Sequence, residues 1–411
     1  MQWLADEIAY CANVHPGITA AEIESNIKAI TREVREHTQL ASLNAGLWLC
    51  EAAAIEYMQP DALLRLKNTL ADSGLKAVTL NGFPQHNFHQ PVVKEAVYLP
   101  TWAQAARLDY TQQLATLLAQ LLPDDEVEGT ISTLPLGYRH HWTPELTHQA
   151  CLKLVQYCLH AAHLEQQCGK RIRLCLEMEP GCVLETTDQV IALFHQDLPR
   201  ACKEMDVDTV LLSRYLGLCF DVCHQAVMQE DIADVLARIN AADIIIGKVQ
   251  VSAALIAPEP DKMLTTLQHF AEPKYLHQVT TYNQQGELIF CDDLSIALAD
   301  AYFPREAPWF IHYHVPIQSS DVVAREANET SDPSECVLIN TCSAIQTFFS
   351  AISLFSHKPH IEIETYTWHV LPDQLRPKTN DDLITGLSRE HAWLANVLND
   401  LDLLAPSKHK K

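Results

Sequence analysis

Short apolar runs alternate along this chain with longer stretches in which apolar residues recur every three or four positions. The first pattern predicts buried strands and the second amphipathic helices. Strands are predicted at residues 7–11, 46–50, 75–80, 130–134, 171–178, 216–222, 244–251, 310–317 and 361–365. Helices are predicted at 19–36, 60–73, 101–122, 144–167, 187–205, 231–241, 262–270, 294–301, 342–355 and 381–403. Local signals mark several ends. Thr19 with Glu22 forms a capping box. Thr143 caps a helix whose first residue is Pro144, and Gly74 is a stop signal. The segment VTTYNQQGELIF at 279–290 predicts a hairpin, and residues 319–335, rich in Ser, Asp, Glu and Asn, predict a mobile loop.

Strand followed by helix, repeated, predicts a parallel sheet with helices outside. Eight such units close a TIM (β/α)8 barrel. Nine candidate strands are one too many. Either 310–317 or 244–251 lies outside the wall, or GLWLC at 46–50 is not a strand. A doubly wound open sheet is the alternative, but no GxGxxG or GxxxxGK[ST] follows any predicted strand, so a nucleotide site is unsupported. The expected organisation is one barrel domain over 1–404 with an insertion at about 256–335, then a basic tail at 405–411.

Composition adds three constraints. An apolar content of 48% supplies a full core. A formal charge of -23, from 29 Lys and Arg against 52 Asp and Glu, repels nucleic acid and anionic membranes. The 13 cysteines are odd in number, form no paired CxxC motifs, and fall inside predicted strands (Cys175, Cys219) and helices (Cys151, Cys158), as buried free thiols do. With no apolar run long enough to span a membrane and no secretory leader pattern, a reducing, cytoplasmic location is expected.

The candidate chemistry centres on RIRLCLEMEPGCVLE at 171–185, with GLCFDVCH at 217–224 and HIEIETYTW at 360–368. Each is an apolar run carrying a carboxylate near its C-terminal end, and a parallel barrel gathers such ends on one face. Glu179, Asp221 and Glu364 are therefore expected to meet around a divalent metal, since buried neighbouring carboxylates otherwise repel. Shared protons or a facing cation such as Lys248 is the alternative. Glu177 with Glu179, and Glu362 with Glu364, point the same way along a strand, so one of each pair is expected to ligate and the other to act as base or outer partner. Oxygen ligands with one imidazole suit Mn, Zn, Fe or Mg. Other polar residues at strand ends are His15, Asn81, His86, His224, Gln250 with Ser252, His312 and His314. Trp48, Phe83, Tyr138, Trp142 and Trp368 are candidates for a pocket wall, with packing over the core as the other reading. Cys182 and Cys223 are the best-placed thiols, although packing is the expected role, and the absence of GxSxG discounts serine hydrolysis.

The motifs YCANVHPG, LNGFPQHNFH, STLPLG, LEMEPGCVLET, CFDVCH, KVQVSAAL, HYHVPI and IEIETYTW, in this order over residues 10–398, resemble the bacterial metabolite-traffic EboE family of xylose isomerase-like TIM barrels. Sugar epimerases of that superfamily hold a metal through Glu, Asp, His and Glu. The resemblance implies Glu179 (before Pro180, with Glu185 six residues on), Asp221 (with His224 in DxxH) and Glu364 (between Ile363 and Thr365) as ligands. The histidine slot falls on Gln250, or on His314 one strand later. Glu179 and Glu364 would also be the acid and base, with His15, Asn81, His86, His224, Gln250 and His312 facing the substrate. The implied role is a metal-dependent isomerase or epimerase acting on a small molecule in secondary-metabolite precursor traffic, beside membrane-protein partners of the same pathway. The alternative is a non-catalytic binding or scaffold protein of that pathway.

Overall fold

Eight parallel strands close into a barrel in the computed structural model of the protein, which describes residues 1–318 and 337–406. Seven of them come first: β1 (Ile8–Cys11), β2 (Leu43–Trp48), β3 (Leu75–Asn81), β4 (Glu128–Thr133), β5 (Arg171–Glu177), β6 (Leu216–Asp221) and β7 (Ile246–Val251). Five inserted strands follow: β8 (Ala253–Ala257), β9 (Val279–Tyr282), β10 (Leu288–Cys291), β11 (Trp309–Val315) and β12 (Ile339–Asn340). The last strand, β13 (His360–Ile363), then enters between β7 and β1 and completes the wall, with Ile361 level with Val249 on one side and Ile8 on the other. Every residue of β6 is buried, as is every residue of β5 but its first, because helices cover the outside and packed side chains fill the inside.

The surplus strand is 310–317. It forms β11, whose edges pair antiparallel with β8 and β9 in a second sheet of order β10-β9-β11-β8-β12. GLWLC does contribute a wall strand, but an earlier one, since pairing with β3 begins at Leu43. The strand β8 escaped the pattern because AALIA follows β7 after the single residue Ser252 and reads as its continuation. Because β8 leaves directly from the C-terminal end of β7, the second sheet grows out of the barrel mouth. The predicted hairpin is β9 with β10, in register from Val279↔Cys291 to Tyr282↔Leu288.

Thr19 and Glu22 make the reciprocal capping box, and the Thr143 hydroxyl accepts from the Leu146 amide at the start of the Pro144–Cys168 helix. Short helices at Glu51–Tyr57, Val210–Tyr215 and Val222–Val227 have too few turns to show a period. Arg107 is fully buried and donates to the carbonyls of Pro100, Gly82 and Phe83, which ties down the loops beyond β3. Every described cysteine is a free thiol. No helix among the described residues is long and apolar enough to cross a membrane. The stretch 319–335 and the basic run 408–411 lie outside the described residues.

Candidate functional site

The ladder of β5 ends at Glu177, and there the chain begins to turn. Gly181, at φ +83°, carries it under Tyr138, where a Cβ would stand 2.7 Å from the ring. Glu177 therefore keeps its place on the inward face, whereas Glu179 is carried past the wall and accepts the Tyr98 hydroxyl at 2.7 Å. Asp221 ends β6 and caps the following helix. Its Oδ1 accepts the His224 amide at 2.9 Å and the Ser252 hydroxyl at 2.8 Å, leaving Oδ2 free of protein donors. Glu364, just beyond β13, accepts the side-chain amides of Asn13 (2.6 Å) and Asn81 (2.9 Å), both on Oε1. Ligand-capable atoms of Glu177, Asp221 and Glu364 lie within 4.8 Å of one another, so it is Glu177 that stands with the other two carboxylates, and Glu179 falls in a neighbouring cluster.

Glu362 points inward beneath this row and pairs with Lys248 at 2.5 Å, both without exposed surface. The Lys248 ammonium also donates to the Ser132 hydroxyl. Burial alone would lower this ammonium, but Glu362 beside it holds it above its ordinary value. Gln250, level with Asp221 and Glu362, accepts the Cys219 thiol at 3.1 Å and lies below the cavity.

The inserted sheet supplies two of the imidazoles. His314 on β11 sets Nδ1 2.8 Å from the Glu364 carbonyl. A carbonyl only accepts, so Nδ1 carries the hydrogen and Nε2 turns a lone pair toward Asp221, 3.9 Å from Oδ2. His312, two residues earlier on the same face, meets His224 from the β6 end, and these two cluster with Glu179, while His224 and His314 also cluster with Asp221, and His312 and His314 with Cys223.

Burial, followed by mutual repulsion with Glu364 and Asp221, raises Glu177 well above the carboxylate range. Burial and Asp221 do the same to Glu364. Burial lifts Glu179 to about 8 and pushes His314 down, which keeps that ring neutral. Glu177 Oε2, Asp221 Oδ2 and His314 Nε2 are buried with no hydrogen-bond partner among the described residues. Three carboxylates and one neutral imidazole, with lone pairs unspent, fit a divalent cation of the Mg, Mn, Fe or Zn kind.

Over the cluster lies a cavity of about 70 Å3, walled by Phe83, Phe88, Tyr98, Tyr275 and Tyr366, with Asn13, Asn81, His224, His312 and His314 lower down. Lys94 reaches it but is tied to Asp293 at 2.6 Å. His15 is elsewhere, bonded to the Tyr10 hydroxyl at 3.1 Å, and His86 is half exposed beside Glu51. Glu185 pairs with Arg139 and accepts the Gly181 amide. Trp48, Trp142 and Trp368 spend their indole N–H groups on Pro84, Thr147 and Glu390. Sequence reasoning missed Asn13, Tyr98 and Gln278. Asn13 lies in the same ANVHPG loop as His15 and was open to the same strand-end argument, whereas Tyr98 and Gln278 sit in long connections with no local signal.

The architecture is that of a (β/α)8 TIM barrel. The chain is similar to the solved structure of an L-ribulose 3-epimerase, at 12% identity and TM-score 0.50 over 98% of this chain and 99% of that one. It is similar also to a xylose isomerase-like TIM barrel protein from Mycobacterium smegmatis in complex with magnesium, at 12% identity and TM-score 0.50 over 96% and 99%. At such identities the likeness establishes the fold. No family model matches this sequence, and no curated protein matches it.

Proposed function

We propose that this protein is a metal-dependent isomerase or epimerase that moves a proton on a small hydroxy-carbonyl compound. The observation that carries the reading is the pair of buried lone pairs on Glu177 and Asp221 that meet beside Glu364, with that of His314 turned toward Asp221, none of them with a protein donor among the described residues. Glu177, Asp221, Glu364 and His314 would hold the metal. When bound, the metal supplies Lewis acidity toward a carbonyl or hydroxyl oxygen.

The remaining steps belong to the chain's own side chains. Asn13 and Asn81 fix Glu364 through one oxygen and leave the other toward the site. Glu179, which burial brings to about 8, is poised to exchange a proton near neutral pH, with the Tyr98 hydroxyl setting its orientation. Glu179 and Glu364 are thus the acid–base pair of this reading. The aromatic walls keep water from the reacting carbon. An epimerase and a magnesium complex among the fold neighbours are in keeping with the proposal. The motif resemblance extends it to a metabolite-traffic precursor as substrate, a reducing compartment, and pathway membrane proteins as partners. A binding protein without turnover is the second reading. It is favoured by Gln250, which stands beside Asp221 on β7 where an imidazole would complete the wall's own ligand set.

Elemental analysis of purified protein beside Glu177→Gln and Asp221→Asn, with proton exchange followed by NMR on a panel of ketoses in D2O, tests both. Metal lost in the variants together with exchange at a substrate carbon supports the enzyme. Metal without exchange on any compound that binds favours the binding protein. No metal after reconstitution overturns the proposal.

A further inference from the structure

His224 and His312 face each other through their Nε2 atoms, 2.9 Å apart and fully buried. The hydrogen-bond partners on the far sides of the rings decide where the hydrogens are. His224 Nδ1 is 2.9 Å from the Met178 carbonyl, which only accepts, so Nδ1 carries the hydrogen. Gln278 gives its NH2 group to the Pro180 carbonyl (3.0 Å) and the Tyr98 hydroxyl (3.1 Å), so the end it turns to His312 Nδ1, at 2.7 Å, is its carbonyl. His312 Nδ1 therefore carries its hydrogen too. Each neutral ring is left with a lone pair at Nε2, and two lone pairs at this distance repel unless something positive lies between them.

A shared proton would place a charged imidazolium inside the protein, out of reach of water. The rings also meet edge to face, with planes at 84° and centroids 4.5 Å apart. At metal–imidazole bond lengths of ~2.0–2.1 Å, two nitrogens 2.9 Å apart subtend roughly 90°, the angle between adjacent ligands of an octahedral ion. A carboxylate oxygen of Glu179 lies within 4.8 Å of one ring nitrogen of each histidine.

We propose that Glu179, His224 and His312 form a second metal site of the two-histidine, one-carboxylate kind, which takes a first-row divalent cation such as Fe(II), Mn(II) or Zn(II). It shares no ligand with Glu177, Asp221, Glu364 and His314. Two of its residues follow barrel strands β5 and β6 and the third comes from the inserted sheet, so the site exists only because β11 lies across the barrel mouth. Gln278 and the Met178 carbonyl act on it as positioning groups that fix both tautomers. With a cation in place Glu179 would ligate through one oxygen, and its second oxygen would be left to accept the substrate's proton.

The test is metal content per chain after saturation of the full-length protein with Mn(II), Fe(II) or Zn(II) and desalting, on the wild type, His312→Ala, Gln278→Ala and Glu177→Gln. Two equivalents in the wild type, with one lost in His312→Ala and a different one lost in Glu177→Gln, is the expected result. Gln278→Ala is expected to weaken the second equivalent ~10–100-fold without removing the first. A single equivalent that His312→Ala loses and Glu177→Gln keeps would uphold this site while sinking the first. A single equivalent that His312→Ala keeps overturns the second site, and so does a wild type with none. If His312→Ala does not fold, spin coupling between two Mn(II) ions in the wild-type electron paramagnetic resonance spectrum decides, and an uncoupled single-ion spectrum counts against the site.

Discussion

The ammonium of Lys248 lies 2.5 Å from Oε2 of Glu362 at the bottom of the candidate site, and neither side chain has exposed surface. One cation thus answers one carboxylate, and the carboxylates above are left to find another. Removing one partner of such a pair strands the other charge in a dry interior. Lys248→Met is expected to destabilise the fold by about 3–5 kcal/mol, and adding Glu362→Leu to recover most of that loss. Urea unfolding of the single and double variants checks it, and equal stability of the two variants would show that the charge is not stranded.

Gly46 on β2 faces the same pair. A Cβ there would run into the Glu362 carboxylate, so the absence of a side chain is what lets Glu362 lie across the barrel toward Lys248. Gly46→Ala is expected to cost about 3 kcal/mol through overpacking. Gly46→Ala with Glu362→Gly should regain part of this, provided Lys248→Met is also made so that no cation is left alone. Thermal unfolding of the series reads the coupling.

Asn13 and Asn81 both donate to Oε1 of Glu364. Groups that orient a ligand from behind typically govern metal affinity by ~10–100-fold. Asn81→Ala is expected to weaken binding at the Glu177, Asp221 and Glu364 position by that factor while leaving the circular dichroism spectrum unchanged. Competition with a chromogenic chelator measures it, and unchanged affinity would mean that Asn13 alone suffices.

Much of this arrangement was legible in the chain. The acidic ends of 171–178, 216–222 and 361–365 are local, and a parallel barrel turns local strand ends into neighbours. What was not legible depends on where hydrogen bonding stops. Glu177 and Glu179 have the same parity along β5, and only the end of the ladder at Glu177 separates their surroundings. The imidazole question was equally closed to a linear reading. His314 reaches Asp221 because β11 pairs with β8 some sixty residues earlier in the chain, a contact no local pattern carries. The same pairing explains the ninth strand, which had the composition of a wall strand and found its partners in another sheet.

Glu390 offers a pH test away from the metal ligands. From the helix Asn380–Asp400 it reaches the ends of β11 and β13, accepting the Thr365 hydroxyl (2.7 Å), the Ile317 amide (3.2 Å) and the Trp368 indole N–H (3.1 Å). It thereby braces the segments that carry His314 and Glu364. Burial outweighs these three donors and raises its pKa from 4.5 to about 7. Between those values the folded protein keeps a proton that the unfolded chain has released. Stability attributable to this group is therefore greatest below pH 4.5 and falls as pH rises toward 7, by up to ~1.4 kcal/mol per pH unit, then levels off. In Glu390→Gln that slope is absent. Because both proteins carry the same other titrating groups, the difference between their urea-unfolding free energies isolates this one. The variant is expected to gain roughly 2–3 kcal/mol on the wild type between pH 5 and pH 7.5. Parallel profiles would show that the three donors, not burial, set the charge of Glu390, and that the brace between β11 and β13 is ionic throughout.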